Sequence, residues 1–340
     1  MTKGRNIISV SRRTDIPAFY TPWFLNRLRA GFAEYLHPFT KQCLSVSLRP
    51  ENVSAFVFWS KNFAPLLPHL PDISRQYHFY CHFTITGLPT ALEPRVPPTE
   101  EALRQAKHIA SSFSPDHLQW RFDPIVLTTD ITPEATLDRF STLARSMAGS
   151  TTRCYTSFVD PYPKVLQRLK EADISLLDPP LEQQREIVGK MAEIASQHGI
   201  SLYSCCEDAL VTNPALCVGA EPVSAHDEIL TLPAEHCAVS SAPNSPPEAQ
   251  VPSRKSQLAR GHCIDPAILS TIGAPPPSDL RPAPTREQCG CFKSYDIGAY
   301  DTCPHLCLYC YANSSPAKVE HNRPRHNPDY PSLLTADKRG

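Results

Sequence analysis

The chain has 340 residues, of which 41% are hydrophobic, and this length suits about two domains or one α/β barrel with insertions. Lysine and arginine number 33 against 34 aspartate and glutamate residues, and this balance excludes a protein whose whole surface binds nucleic acid. The sequence contains no apolar run near the roughly 18 residues of a membrane span and no secretory signal pattern, so we expect a cytoplasmic protein that does not contact a membrane.

The first 205 residues alternate between strand-like and helix-like segments. The predicted strands, rich in β-branched and aromatic residues, are 7–11, 43–48, 55–59, 78–84, 118–126, 154–159 and 201–205. The predicted helices are 21–31, 99–113, 133–148, 163–172 and 181–198. This alternation predicts an α/β fold with a mostly parallel sheet, either open and doubly wound or closed as a barrel.

Polar residues follow most of the predicted strands. They are Arg12, Arg13, Asp15, Lys61, Asn62, Arg121, Asp123 and Glu207. Because parallel strands end on one face of the fold, we expect these side chains to share a pocket. The alternative interpretation is that they are loop caps and surface ion pairs.

The 13 cysteines indicate metal or redox chemistry rather than a disulfide framework, since no secretory signal accompanies them. Ten of them lie after residue 200. The periodicity is lost over 211–260, which we interpret as an irregular insertion that carries Cys217 and Cys237 as bystanders. We therefore divide the chain into an α/β scaffold (1–210), this insertion, and a cysteine-rich cluster-binding segment (261–340) that closes the mouth of the barrel.

The sharpest motif is Cys303-x3-Cys307-x2-Cys310, with Tyr309 just before its last cysteine. Three closely spaced thiolates suit a cubic [4Fe–4S] cluster, which normally takes four, so one iron would stay open to bind a small molecule. A zinc site with His305 as the fourth ligand is the alternative.

This motif resembles that of the radical S-adenosylmethionine superfamily, although it lies late in the chain. The resemblance implies that Cys303, Cys307 and Cys310 hold the cluster, that Tyr309 lies near the adenine, and that reductive cleavage of S-adenosylmethionine gives a 5'-deoxyadenosyl radical. Longer segments resemble the bacterial DUF1848 family. These segments are 9–17, 59–62, 120–124, 205–207, 263–265, 289–298 and 310–313.

A second set of cysteines consists of Cys205, Cys263, Cys289 and Cys291. Four thiolates would fill an auxiliary [4Fe–4S] cluster or a structural zinc site, and the absence of a shared metal is the third alternative. Cys206 competes with Cys205, but its side chain should point the other way if the strand continues.

The strand-end residues receive roles by their chemistry. The guanidinium groups of Arg12 and Arg13 suit a carboxylate or phosphate, or else an internal ion-pair network. Lys61 and Asn62 are assigned to the methionine carboxylate or a substrate. The catalytic candidates are Arg121, Asp123 and Glu207, and Glu207 would accept from an α-amino group or a ribose hydroxyl.

We therefore predict a partial or full TIM-barrel-like radical S-adenosylmethionine enzyme supplied by a low-potential electron donor of the flavodoxin or ferredoxin type. Its unknown substrate is expected to be a small metabolite or peptide. The alternatives are a radical enzyme that repairs or modifies nucleic acid, and a non-catalytic protein that binds iron–sulfur or zinc.

Overall fold

A parallel sheet of eight strands organises the chain in a computed structural model that describes residues 4–37, 40, 42–211 and 258–335. The strands are β1 (Asn6–Val10), β2 (Phe32–Leu36), β3 (Cys43–Ser47), β4 (Val53–Ser60), β5 (Phe79–Thr84), β6 (Leu118–Arg121), β7 (Arg153–Thr156), β8 (Ser201–Ser204), β9 (Ala259–Arg260) and β10 (Tyr295–Asp296). The sheet order is β10-β1-β4-β5-β6-β7-β8-β9, and every neighbouring pair is parallel.

The helices are α1 (Ile16–Phe19), α2 (Thr21–Ala30), α3 (Leu70–Ser74), α4 (Thr99–Ser112), α5 (Pro133–Met147), α6 (Pro163–Glu171), α7 (Leu181–Gln197), α8 (Asp208–Val211), α9 (Pro266–Thr271) and α10 (Pro316–Asn322). All five predicted helices are confirmed, each ending one residue earlier than expected. Their boundaries follow local chemistry: Thr132 caps α5 by accepting from the Ala135 N–H, and Gly31 ends α2 with a left-handed φ of 75°. None of the described helices is long and apolar enough to cross a bilayer.

The two faces of the sheet are covered by different parts of the chain. One face carries Phe56, Phe79 and Trp120, which pack against apolar residues of α2, α4, α5 and α7. The opposite face carries Val57 and Tyr155 among the residues that pack against the C-terminal segment. This alternation follows from the two-residue period of a strand, and it places the cysteine-rich segment on the face of the sheet opposite α2, α4, α5 and α7.

The sheet establishes an α/β fold, but its recorded strand pairs do not close a barrel within the described residues, since β9 and β10 remain at opposite edges. The predicted strand 43–48 exists as β3, yet it pairs antiparallel with β2 in a separate sheet. The chain between β3 and β4 is too short for a parallel crossover. The predicted strand 118–126 ends at Arg121, because Pro124 has no N–H to donate to a ladder.

The C-terminal segment joins the sheet through β10, beside the first strand of the chain. Ser9 lies opposite Asp296 in register, and the Asp296 carboxylate accepts from Ser9 Oγ (2.8 Å), Ser11 Oγ (2.6 Å) and the Arg12 N–H (2.8 Å). The expected scaffold (1–210) and cluster-binding segment (261–340) therefore share one sheet. Most of the expected insertion, with Cys217 and Cys237, lies outside the described residues.

Candidate functional site

The three cysteines of the C-terminal motif line one cavity of about 140 Å³ at the carboxyl ends of β1 and β4. We call this the motif cavity. Its other lining residues are Arg12, Thr14, Asp15, Trp59, Ser60, Lys61, Thr84, His305, Leu306, Tyr309, Ala312 and Asn313. The cavity lies here because β10 brings the motif beside β1, so residues from both ends of the chain surround it.

Both ring nitrogens of His305 lie within hydrogen-bonding distance of an oxygen acceptor. Nε2 lies 2.9 Å from Asp15 Oδ2, and Nδ1 lies 3.0 Å from the Arg95 carbonyl oxygen. Both partners are hydrogen-bond acceptors. A zinc bond through either nitrogen, as in the zinc alternative at the motif, would therefore replace one of these two contacts.

Asp15 connects the motif to the end of the sheet. Besides His305, its carboxylate accepts from Ser60 Oγ (2.7 Å), the Lys61 N–H (2.8 Å) and the Ala18 N–H at the start of α1 (3.0 Å). Asp15 is 5% exposed, so these bonds satisfy a buried charge. Its role in this geometry is to position the cysteine motif.

Tyr309 is held by a buried carboxylate that the sequence analysis did not single out. Glu93 accepts from the hydroxyl of Tyr309, from Thr86 Oγ1 (2.6 Å) and from Lys61 Nζ (2.8 Å). Burial raises the pKa of Glu93, but the Lys61 ammonium and these hydrogen bonds outweigh burial and lower the pKa below its usual value. The charge of Lys61 is therefore balanced within the protein.

Two buried donors in the lining have no hydrogen-bond partner among the described residues, namely Thr14 Oγ1 and Trp59 Nε1. The guanidinium of Arg12 lies 5.7 Å from the centre of the Trp59 ring. Buried donors without partners are costly, and these two belong to residues of the cavity wall.

Arg13 and Asn62 are not among the residues that line the motif cavity. Arg13 donates to the Leu36 carbonyl at 3.4 Å. Asn62 accepts through Oδ1 from the Ala64 N–H (3.1 Å) and from Gln105 of α4 (3.0 Å). Asn62 therefore holds a loop, whereas Arg13 and Arg12 both pair with Asp296 (3.9 and 4.0 Å), as the alternative of an internal ion-pair network predicts.

The catalytic candidates lie against the second cysteine set instead. Arg121 pairs with Asp123 and donates through Nη1 to Cys263 Sγ at 2.9 Å. Glu207 accepts from the Phe158 N–H at 3.0 and 3.1 Å, and burial raises its pKa to about 8. The expected residues thus fall at two adjoining sites, with Lys61 at one and Arg121, Asp123 and Glu207 at the other. Arg12 lies between the two sites, since its guanidinium and that of Arg121 lie 5.7 and 5.4 Å from the centre of the same Trp59 ring.

The second cysteine set has five members, because Cys206 joins it. Cys205 Sγ lies 3.5 Å from Cys263 Sγ and 3.8 Å from Cys206 Sγ. The expectation that Cys206 would point away fails because β8 ends at Ser204, and Cys206 then takes a left-handed φ of 61°. Across the described residues, no three His, Cys, Asp or Glu side chains already form a group able to hold a metal ion.

Comparison with models of known protein families gives a match for the chain. The model of DUF1848, a domain of unknown function, matches residues 7–228 and 246–312. The chain belongs to the DUF1848 family. No curated protein and no solved structure matches the chain.

The DUF1848 match spans the residues of both sites, from Arg12 to Cys310. Sequence reasoning found the cysteines of this DUF1848 chain because close spacing is visible in one dimension. It missed Glu93, which lies in a loop without a pattern. The adjacent Cys205-Cys206 pair was a visible signal for the fifth sulfur, but the end of β8 decided where Cys206 points.

Proposed function

We propose that this DUF1848 protein is a radical S-adenosylmethionine enzyme in which Cys303, Cys307 and Cys310 bind a [4Fe–4S] cluster. The observation that carries the proposal is the motif cavity, where the three thiols meet Arg12 and two unpartnered donors. Three cysteine ligands leave one iron for a cosubstrate. When bound and reduced, the cluster supplies the electron that cleaves S-adenosylmethionine to a 5'-deoxyadenosyl radical.

The residues around the cavity fit a zwitterionic cosubstrate. Arg12 lies 4.0 Å from Asp296 and donates to Ser294 Oγ at 3.3 Å. In the proposal it also binds the carboxylate of the cosubstrate as a charged donor, and Thr14 Oγ1 and Trp59 Nε1 turn toward the cavity to donate to its oxygens. Lys61 is already paired with Glu93, so its proposed role is to hold that carboxylate against Tyr309. The cosubstrate roles predicted for Arg13 and Asn62 would require new contacts and stay predictions.

The strand order supports a barrel-like arrangement as part of this proposal. Strands follow one another around the sheet in chain order, and the last strand returns beside the first, as in a barrel whose active site lies at the carboxyl ends of its strands. We propose a low-potential ferredoxin or flavodoxin-type donor, and a small metabolite or peptide as substrate. Arg121, Asp123 and Glu207 are the proposed substrate-side groups.

Anaerobic turnover tests the proposal. Protein reconstituted with iron and sulfide is reduced with dithionite and incubated with S-adenosylmethionine, and 5'-deoxyadenosine is measured by mass spectrometry. Formation of 5'-deoxyadenosine is expected in the wild type and in Cys43→Ser, whose exposed thiol lies outside both sites. The combined Cys303→Ala, Cys307→Ala and Cys310→Ala variant should give none. A reconstituted wild type that binds iron but forms no 5'-deoxyadenosine would make the protein a non-catalytic metal binder.

A further inference from the structure

Five cysteines lie together on the face of the sheet that carries Val57 and Tyr155. Beyond the Cys205 contacts, Cys263, Cys289 and Cys291 belong to the same buried cluster, and Cys206 packs against it. We call these five residues the sulfur ring. They come from three separate parts of the chain, namely the end of β8, the residues before α9 and the residues before β10.

Cationic side chains surround the sulfur ring. Arg121, which is 7% exposed, donates to Cys263 Sγ at 2.9 Å. Arg286 contacts Cys206 and pairs with Asp160. Guanidinium groups at these positions would balance the negative charge that thiolate ligands bring to a metal centre.

The sulfur ring differs from ordinary buried cysteines. Cys81 is also fully buried, but it lies in the hydrophobic core, and burial alone raises its pKa. Cysteine often serves as a small apolar residue in such places. Apolar packing does not account for five adjacent thiols that face guanidinium groups.

The separation of Cys205 Sγ and Cys263 Sγ, 3.5 Å, is near that of two thiolates on one metal ion and far from that of a disulfide. Disulfide sulfurs lie about 2.05 Å apart, well below the 3.5 and 3.8 Å separations at Cys205. Thiolates bound at about 2.3 Å to one tetrahedral ion lie about 3.8 Å apart. Binding would still require the side chains to turn inward, because no group in the described part of the chain is preformed for an ion.

The five cysteines differ in exposure: four are buried and one is partly exposed. Cys205, Cys263, Cys289 and Cys291 are buried, whereas Cys206 is half-buried. Four thiolates complete a structural zinc site or an iron–sulfur cluster. We propose that the four buried cysteines bind a second thiolate metal centre and that Cys206 lies beside it as a fifth, exchangeable thiol. This centre does not depend on cleavage of S-adenosylmethionine.

The metal content of a variant that lacks the first site tests this proposal. The Cys303→Ala, Cys307→Ala and Cys310→Ala protein is loaded separately with zinc, and anaerobically with iron and sulfide. We expect about one zinc or about four irons per chain, and the arm that gives the stoichiometric product identifies the metal. If the variant binds metal in neither experiment, the proposal is wrong. This outcome does not depend on whether the wild type cleaves S-adenosylmethionine.

Single substitutions added to the Cys303→Ala, Cys307→Ala and Cys310→Ala variant identify the ligands of the second metal centre. Cys263→Ser should remove most of the bound metal, whereas Cys206→Ser and the control Cys43→Ser should retain it. Cys289→Ser is the second variant if Cys263→Ser does not fold, as judged by circular dichroism. If both Cys263→Ser and Cys289→Ser retain the metal, the proposed site is wrong. If Cys206→Ser loses as much metal as Cys263→Ser, Cys206 is a ligand and not an exchangeable thiol.

Alkylation gives a readout that does not use metal content. Iodoacetamide applied to the loaded protein, followed by peptide mass spectrometry, should modify Cys206 and leave the four ligands unmodified. Treatment with a chelator under native conditions should then increase modification of Cys289 and Cys291. Equal modification of all five thiols before and after chelation overturns the proposal.

Discussion

His305 Nε2 and Asp15 Oδ2 lie 2.9 Å apart although 290 residues separate them in the chain. This hydrogen bond joins the middle of the cysteine motif to the loop after β1, between side chains that are both buried. A buried hydrogen bond to a charge is stronger than one between neutral groups. The position of the three cysteines therefore depends on a carboxylate outside the motif.

Asp15→Asn should destabilise the protein by about 1–3 kcal/mol, because the amide nitrogen would face donors where a carboxylate oxygen now accepts. Urea unfolding measures the loss, and iron content after reconstitution should fall with it. Asp72→Asn is the control, since Asp72 is 75% exposed and should change stability little. Equal stability of the two variants would show that the His305 contact is unimportant.

Glu93→Ala should be among the most destabilising single changes at the site, at about 3–5 kcal/mol, because it leaves the Lys61 ammonium buried without its partner. The matched control is Glu186→Ala, which breaks the exposed pair with Lys190 and should cost less than about 1 kcal/mol. Adding Lys61→Met to Glu93→Ala should restore part of the loss. Chemical denaturation of all variants checks this order, and no recovery in the double variant would contradict it.

Gly298→Ala should destabilise the junction between β1 and β10, because a Cβ there would overlap Ser11 Oγ, which donates to Asp296. We expect a loss of about 1–3 kcal/mol from overpacking. Gly189→Ala lies inside α7 with nothing within 4 Å of the added carbon, so it should be neutral or stabilising by up to about 1 kcal/mol. Thermal unfolding compares the two. If the Gly298→Ala protein is as stable as Gly189→Ala, the residues between β1 and β10 rearrange around the added methyl group at little cost.

His117 should make stability depend on pH. Burial lowers the pKa of its imidazole below the ordinary value of 6.5, so below pH 6.5 the unfolded chain binds the proton more readily than the folded protein. The stabilising effect is therefore complete above pH 6.5 and decreases as the pH falls towards the lower folded pKa. The free energy of unfolding, measured at pH 7.5 and 5.5, should change less in His117→Gln than in the wild type, whereas exposed His108→Gln should match the wild type.

Arg12→Ala should raise the KM for S-adenosylmethionine about 10- to 100-fold, the effect of losing a hydrogen bond to a charged group. Iron content should not change, because Arg12 is not a cluster ligand in the proposal. Arg75→Ala, at an arginine that is 77% exposed, is the control. An unchanged KM would remove Arg12 from the cosubstrate site while leaving the cluster assignment intact.

Much of the local structure could be predicted because it depends on nearby residues. The five helices followed from spacing and end signals such as Gly31, and the motif followed from the close spacing of Cys303, Cys307 and Cys310. The division of the strand-end residues between two sites could not be predicted, since it depends on where the C-terminal segment packs. The direction of Cys206 depends on a strand ending one residue sooner than expected.

The position of β1 between β4 and β10 determines when the protein can become complete during synthesis. Ser9 and Asp296, which hydrogen-bond across this junction, are 287 residues apart. At about 5–20 residues per second, the ribosome needs roughly 15–60 s to make the intervening chain. Until then one edge of β1 lacks its native partner, which is a hazard for aggregation. The motif cavity cannot exist before β10 pairs with β1, so any cofactor held there must enter after β10 and the cysteine motif have been synthesised.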